Sequence, residues 1–325
     1  MAREATLLAY PRIHFGLIDL GCATPRSYGG AGAAFCARPS STHATHARRF
    51  DLATDTDPVV RRKITAAVTR AAEAGLDTGA AVTITDALPS HVGFGAGTGT
   101  VLSVLTVIAR LLDWPTSAVD LVRLSGRGRT SGVGYAAFYS GGFVVDAGQR
   151  DHPVDGRYRP SHDPQSRPPS TTTGSWPIPN AWRITLLLPT LTPTVAPEHE
   201  SEFFLAHTPV ASDDVLWQLA HLYHGMLPAV IEADLPAFAR SLRDYQRRGF
   251  KRAEIAVQPE PVRNVITSAW ELGLAAGLSS LGPTAFVIHN DTTVVERLTL
   301  GLNGLTTNGP FEFRNHGTSC EVGEG

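Results

Sequence analysis

The 325-residue chain carries 42% hydrophobic and 18% charged residues with a formal net charge of -2, the composition of an ordinary globular protein long enough for two packed lobes. That balance excludes a broad basic surface for nucleic acid, while a small anionic ligand remains compatible with it. The three cysteines, Cys22, Cys36 and Cys320, are far apart and form no C-x-x-C pair, which suggests neither a disulfide framework nor a zinc site and favours free thiols.

The opening residues alternate in a β-like pattern over 6–10 and 12–18, then break at Gly21 into a small-residue turn over 24–32. The N-terminus has no basic segment followed by a long apolar run, and no stretch approaches the length of a membrane span, so a cytoplasmic protein is expected. Residues 58–76 place Val59, Ile64, Val68 and Ala72 at helical spacing, with Arg61, Arg62, Lys63 and Arg70 read as a solvated face. A short β-branched strand is predicted over 80–88 and an apolar helix over 98–112, ending in front of Pro115. The block over 126–134 is expected to lead directly into an apolar strand that ends Gly141-Gly142-Phe143-Val144-Val145-Asp146. Residues 152–180 are rich in Pro, Ser and Thr without apolar periodicity, which predicts a lid or loop and the boundary between lobes 1–180 and 181–325. Beyond it come a strand over 184–188 and helices over 213–231, 236–248 and 261–278, which makes the fold class α+β.

The strongest chemical signal is Pro89-Ser90-His91-Val92-Gly93-Phe94-Gly95-Ala96-Gly97-Thr98-Gly99-Thr100, where alternating glycines expose backbone N–H groups just before a helix. Such a nest, reinforced by the helix dipole, suits a phosphate. It lacks the lysine of a P-loop and fits a dinucleotide-binding turn poorly.

Two further blocks belong with it: 126–134, beginning Gly126-Arg127-Gly128-Arg129-Thr130-Ser131-Gly132, and 277–286, containing Ser279-Ser280-Leu281-Gly282-Pro283. Together the three resemble the GHMP small-molecule kinase superfamily, which implies a two-lobed fold: an N-terminal lobe like domain 2 of ribosomal protein S5 and a ferredoxin-like C-terminal lobe. Kinases of that superfamily carry P-S-G-x-D after the phosphate loop, whereas this chain reads Thr130-Ser131-Gly132-Val133-Gly134, with glycine in place of the aspartate that orients the acceptor hydroxyl.

The N-terminal block, Pro11-Arg12-Ile13-His14-Phe15-Gly16 through Asp19 and then Arg26-Ser27-Tyr28-Gly29-Gly30-Ala31-Gly32, is similar to the signature of β-ribofuranosylaminobenzene 5′-phosphate synthases. That group, which includes C-nucleoside synthases of the formycin and pyrazofurin kind, joins phosphoribosyl pyrophosphate to an aromatic carboxylic acid with loss of CO2 and pyrophosphate. The motif of ordinary phosphoribosyltransferases, an acidic pair placed before a T-T-G loop at a strand end, is absent.

The resemblance implies Mg2+ as cofactor, phosphoribosyl pyrophosphate and an aromatic carboxylate as partners, and a homodimer. His14, Asp19 and Arg26 are the expected catalytic residues, with Asp19 also a candidate Mg2+ ligand or, on the residue alone, a turn aspartate. Expected substrate contacts are Arg12, Ser27, Gly29, Gly30, His91, Gly95, Gly97, Thr98, Gly99, Thr100, Arg127, Thr130 and Ser131. Arg12 and Arg26 suit either the 5′-phosphate or the acceptor carboxylate, and His14 reads either as a ligand contact or as a structural histidine. Part of the acceptor pocket is expected near Trp176. An ATP-dependent kinase and a non-catalytic metabolite sensor are the competing readings. The Ala-, Arg- and Pro-rich composition favours a pyrazole acceptor in C-nucleoside antibiotic biosynthesis over 4-aminobenzoate.

Overall fold

A computed structural model describes residues 3–89, 92–160, 167–190, 197–300 and 303–324. In chain order the first half forms β1 (Arg3–Ala9), β2 (Arg12–Asp19), β3 (Tyr28–Ala34), β4 (Ser40–His46), β5 (Asp51–Thr54), α1 (Pro58–Glu73), β6 (Ala80–Thr85), α2 (Ala96–Leu111), α3 (Ala118–Ser125), α4 (Val133–Ser140), β7 (Phe143–Asp146) and β8 (Thr172–Trp176). The second half forms β9 (Arg183–Pro189), α5 (Pro197–His207) and α6 (Ser212–His221), then a π-helical turn (Leu222–Met226) running into α7 (Leu227–Ile231). It continues with α8 (Leu235–Gln246), α9 (Gly249–Ala256), α10 (Glu260–Glu271), β10 (Ala275–Leu278), β11 (Ala285–His289), α11 (Thr292–Thr299), β12 (Leu305–Glu312) and β13 (Cys320–Glu324).

Three sheets organise these elements: β13-β1-β4-β6-β5, β2-β3-β7-β8 and β10-β11-β9-β12. Helix α2 is apolar on nearly every face because it is sandwiched: Val101, Leu105 and Ile108 are buried in one core with Ile64 of α1 and Ala5 and Leu7 of β1. A second core joins the lobes, with Phe15 of β2 meeting Phe238 of α8 edge-on at 6.1 Å and Phe286 of β11 at 5.6 Å. The site described below lies where β2, α1, α2, α4 and the C-terminal lobe converge.

The architecture is the two-lobed α+β arrangement expected from the sequence, with local differences. Residues 133–140 are helix, not strand: β7 begins only after Gly141 and Gly142, both at positive φ. The single helix expected over 261–278 is interrupted at Gly273 (φ 73°), so that Ala275–Leu278 becomes a strand. The 152–180 segment holds β8 paired with β7, and its Tyr158 is fully buried, with its hydroxyl accepting from the Cys22 amide at 3.1 Å. Trp176 packs against the core at the end of β8 and does not line the cavity. From beyond residue 180 the chain returns to the first sheet, where β13 pairs antiparallel with β1. Among the described residues no helix is long and apolar enough to cross a membrane.

Candidate active site

The loop after β6 turns into α2 at Gly95, which adopts the left-handed conformation (φ 74°). A β-carbon there would stand 3.0 Å from the Arg12 guanidinium, so glycine both permits the turn and lets Arg12 lie beneath it. No side chain caps α2; the Thr98 amide donates to the Gly95 carbonyl at 3.0 Å, while those of Ala96 and Gly97 have no intrahelical acceptor by construction. Gly93, Gly95, Ala96, Gly97 and Thr98 form one wall of a cavity of about 240 Å³.

A second helix opens on the same space. Helix α4 starts at Gly132, whose amide donates to Asp146 Oδ2 at 2.6 Å, while the Val133 amide donates to Ser131 Oγ at 3.3 Å; Ser131 and Gly134 line the cavity beside Thr130. Two helix N-termini therefore face one cavity, each contributing the positive end of its dipole, with amide donors on the α2 side and the Ser131 hydroxyl on the α4 side.

Three cationic side chains add to this field: Arg12 from β2, Lys63 from α1 and Arg127 from the loop after α3. The Arg127 Nε donates to Thr98 Oγ1 at 3.2 Å. Arg12 Nη1 donates to the Gly93 carbonyl at 2.5 Å, and its buried Nε has no partner among the described residues. Burial and then the neighbouring Arg127 pull the Arg12 guanidinium down to about 10. Burial and Arg127 likewise lower the Lys63 ammonium to about 8. A buried guanidinium this poorly compensated favours an incoming anion.

His14 lies behind Ser131. Its Nδ1 accepts from the Gly16 amide at 3.1 Å, which fixes the proton of the neutral ring on Nε2, where it donates to Ser131 Oγ at 2.9 Å. Burial, Arg12 and Lys251 hold its pKa well below the usual histidine value. The strand register slips between His14 and Gly16, and a β-carbon on Gly16 (φ 148°) would meet Lys251 Cε at 2.9 Å. The bulge therefore makes room for Lys251 while turning His14 towards Ser131.

The C-terminal lobe closes the site from the other side. Ser279 Oγ donates to the Gly93 carbonyl at 2.8 Å, Thr284 Oγ1 donates to the Val92 carbonyl at 2.6 Å, and the Ser280 amide donates to the His14 carbonyl at 3.0 Å. Glu200 and Glu254 bring carboxylates to the cavity, and Leu17, Phe204 and Leu281 give it an apolar part.

Of the residues expected from the sequence, Arg12, His14, Gly95, Gly97, Thr98, Arg127, Thr130 and Ser131 are gathered here. Others are not. The Asp19 carboxylate accepts from the amides of Gly21 (3.0 Å), Ala23 (3.3 Å) and Thr24 (2.8 Å), so it is the turn aspartate and not a metal ligand facing the cavity. Arg26 donates to the carbonyls of Ala147 (2.7 Å) and Gly148 (2.9 Å), and Ser27 Oγ donates to Asp151 O at 2.6 Å. Gly29 and Gly30 sit in β3, where a β-carbon on Gly30 would reach 2.3 Å from the Gly16 carbonyl: their smallness serves strand packing. Gly99 and Thr100 lie deeper in α2, with Thr100 Oγ1 bonded to Ala96 O at 2.8 Å, and neither lines the cavity. His91 lies outside the described residues. Lys63, Glu200 and Glu254 went unread because each sits in a helix whose charged residues otherwise pattern as a solvated face.

Residues 61–142 match the family model of the GHMP kinases N terminal domain. The chain is 33% identical over 279 residues to a beta-ribofuranosylphenol 5′-phosphate synthase of Archaeoglobus fulgidus, covering 85% of each chain. It is 29% identical over 301 residues to the protein of that name from Methanothermobacter thermautotrophicus, covering 90% of each. Its fold is similar to that of homoserine kinase from Cytophaga hutchinsonii (TM-score 0.69, 14% identity, covering 98% of this chain and 97% of that one). Mevalonate diphosphate decarboxylase from Staphylococcus aureus has the same fold (TM-score 0.66, 13% identity, covering 99% and 98%).

Proposed function

From the premise that the chain belongs to the beta-ribofuranosylphenol 5′-phosphate synthase family, on the GHMP kinase fold, we propose that it is a decarboxylating C-ribosyltransferase. It transfers the ribosyl phosphate of phosphoribosyl pyrophosphate to the ring carbon that carries the acceptor's carboxylate. The observation that carries this reading is the convergence of two helix starts, those of α2 and α4, with Arg12, Lys63 and Arg127 on one cavity, beside Gly134 where a kinase has its aspartate.

The diphosphate lies against the starts of α2 and α4 with Lys63 and Arg127, which stabilise the negative charge that grows as the C1–oxygen bond breaks. Arg12 is assigned to phosphate oxygens and not to the acceptor carboxylate, because a guanidinium clamped on that carboxylate would hold back the electrons that must return to the ring. Neutral His14 fixes the Ser131 oxygen with its Nε2 proton, leaving the Ser131 hydroxyl proton to point at the substrate. The ring carbon attacks C1, and loss of CO2 returns the bonding pair to the ring.

The described residues group no three ligating side chains into a metal site, and Asp19 is spent on backbone amides. Magnesium accordingly belongs to this proposal as an ion carried on the diphosphate, where it would neutralise the leaving group's charge.

The relatives' name points to a hydroxybenzoic acid as acceptor, and the amino-substituted and pyrazole acids belong to the same class. Within that class the finer proposal is a pyrazole acid, a role in C-nucleoside antibiotic biosynthesis and a homodimeric enzyme. Calorimetric titration with phosphoribosyl pyrophosphate and with ATP, each with Mg2+, tests the reading: micromolar binding of the first and weaker binding of ATP is expected. Tighter ATP binding with phosphoryl transfer would favour a kinase.

A further inference from the structure

Helix α9 places Lys251 and Glu254 one turn apart, and neither reaches bulk solvent: Lys251 is 0% and Glu254 5% exposed. Their charged ends meet at 2.5 Å, and the Lys251 ammonium also donates to the Ser280 carbonyl at 2.7 Å. A fully desolvated ion pair contributes little net stability compared with apolar packing, so its place in a cavity wall asks for another role. Lys251 is held by the bulge at Gly16 and the 279–284 loop, and Glu254 is the member of the pair that lines the cavity. Leu17, Phe204 and Leu281 line the same cavity and suit an aromatic ring better than a phosphate, which the Glu254 carboxylate repels.

We propose that Glu254 is the base that takes the O–H or N–H proton from the group activating the acceptor ring, with Lys251 as its positioning residue. This rests on the decarboxylating transfer proposed above. As the ring carbon forms its bond to ribose C1 and the C1–oxygen pair leaves with the diphosphate, the activating heteroatom passes its proton to Glu254 and becomes C=O or C=N. When the carbon–carboxylate bond breaks, its electron pair restores the ring, the heteroatom takes the proton back from Glu254, and CO2 departs. Protons and electrons balance without an added oxidant or reductant.

Other charges face the pair from the packed elements: Arg12 and His14 from β2, Glu200 from α5 and the Tyr245 hydroxyl from α8. Burial raises the Glu254 carboxyl, opposed by Lys251, which places the onset of its base form above the ordinary glutamate range. Activity then falls as pH drops through that raised value.

The test uses 4-hydroxybenzoate, 4-aminobenzoate and an aminopyrazole carboxylate, each with phosphoribosyl pyrophosphate and Mg2+. Wild-type turnover of at least one, with CO2 released, is expected, and Glu254→Gln lowers kcat at least about 100-fold and removes the acidic limb of the pH profile. Phosphoribosyl pyrophosphate binding by the variant stays within about threefold of wild type, a shift below 1 kcal/mol. Glu254→Asp keeps the charge pair and covers a folding failure of the glutamine variant: its kcat falls less and its acidic limb moves. Retention of kcat by Glu254→Gln, or an unmoved limb in Glu254→Asp, overturns the assignment while leaving the transferase reading intact. A wild type inert towards all three acids overturns both.

Discussion

A β-carbon built on Gly134 would stand 3.3 Å from the Cγ2 of Thr98, so the first turns of α4 and α2 touch at the position where a kinase would carry its aspartate. Glycine there removes the acid and also lets both helix starts reach one cavity. Gly134→Asp is therefore expected to introduce overpacking and an anion together. Phosphoribosyl pyrophosphate binding should weaken by at least about 1.4 kcal/mol, or tenfold, by calorimetry, with no ATP-dependent phosphoryl transfer gained. Kinase activity in this variant would contradict the account of Gly134.

Lys63 provides a pH signature. Partial burial and the neighbouring Arg127, opposed by Glu200, pull its ammonium down to about 8, and a bound phosphate favours the charged form. Affinity for phosphoribosyl pyrophosphate is thus full below pH 8 and falls as pH rises through it, by up to about tenfold per unit. Lys63→Met should weaken binding at pH 7 and flatten this slope between pH 8 and 9.5. An unchanged slope would place Lys63 off the ligand.

For Asp19 the structure predicts a loss of stability and not of chemistry. Removing a carboxylate that satisfies three backbone amides costs about 2–4 kcal/mol. Asp19→Ala should lower the midpoint of urea unfolding while kcat per folded molecule stays within about threefold, well under the effect expected of a reacting group. A stable variant with no turnover would restore Asp19 to the active site.

How much of this was legible in the sequence differs by residue. The alternation of glycines at 93, 95 and 97 exposes the phosphate loop directly, since few other purposes need successive amides before an apolar helix. Arg12 and His14 were readable as polar residues in an apolar strand. Arg26 misled because backbone groups distant in sequence, at Ala147 and Gly148, occupy it, and no local pattern announces such partners, whereas the partners of Asp19 are local and match its reading as a turn aspartate. Lys63 stands among arginines on a helix that patterns as solvated, and only the approach of Arg127 and the α2 start makes it a cavity residue. Residues 133–140 read as strand because the apolar stretch is short, whereas the helix is fixed by its packing against β3 and α2.

His14 should report its tautomer. With Nδ1 accepting from Gly16 and burial, Arg12 and Lys251 opposing its charge, the ring stays neutral and Nε2-protonated between pH 6 and 8. Because its folded pKa is depressed, its contribution to stability is present above about 6.5 and is lost as pH falls below that value. Nitrogen-15 spectra of the histidine rings check this, and titration of His14 near 6.5 would contradict the hydrogen-bond scheme.

The central claim is that the bond broken lies at the ribose carbon and that the acceptor loses its carboxylate in the same turnover. The direct measurement is the ratio of labelled CO2 to pyrophosphate released from a carboxyl-labelled acid and phosphoribosyl pyrophosphate under single-turnover conditions. One CO2 for each pyrophosphate, with a ribosylated ring as product, is the predicted result. Pyrophosphate released without CO2 would contradict it.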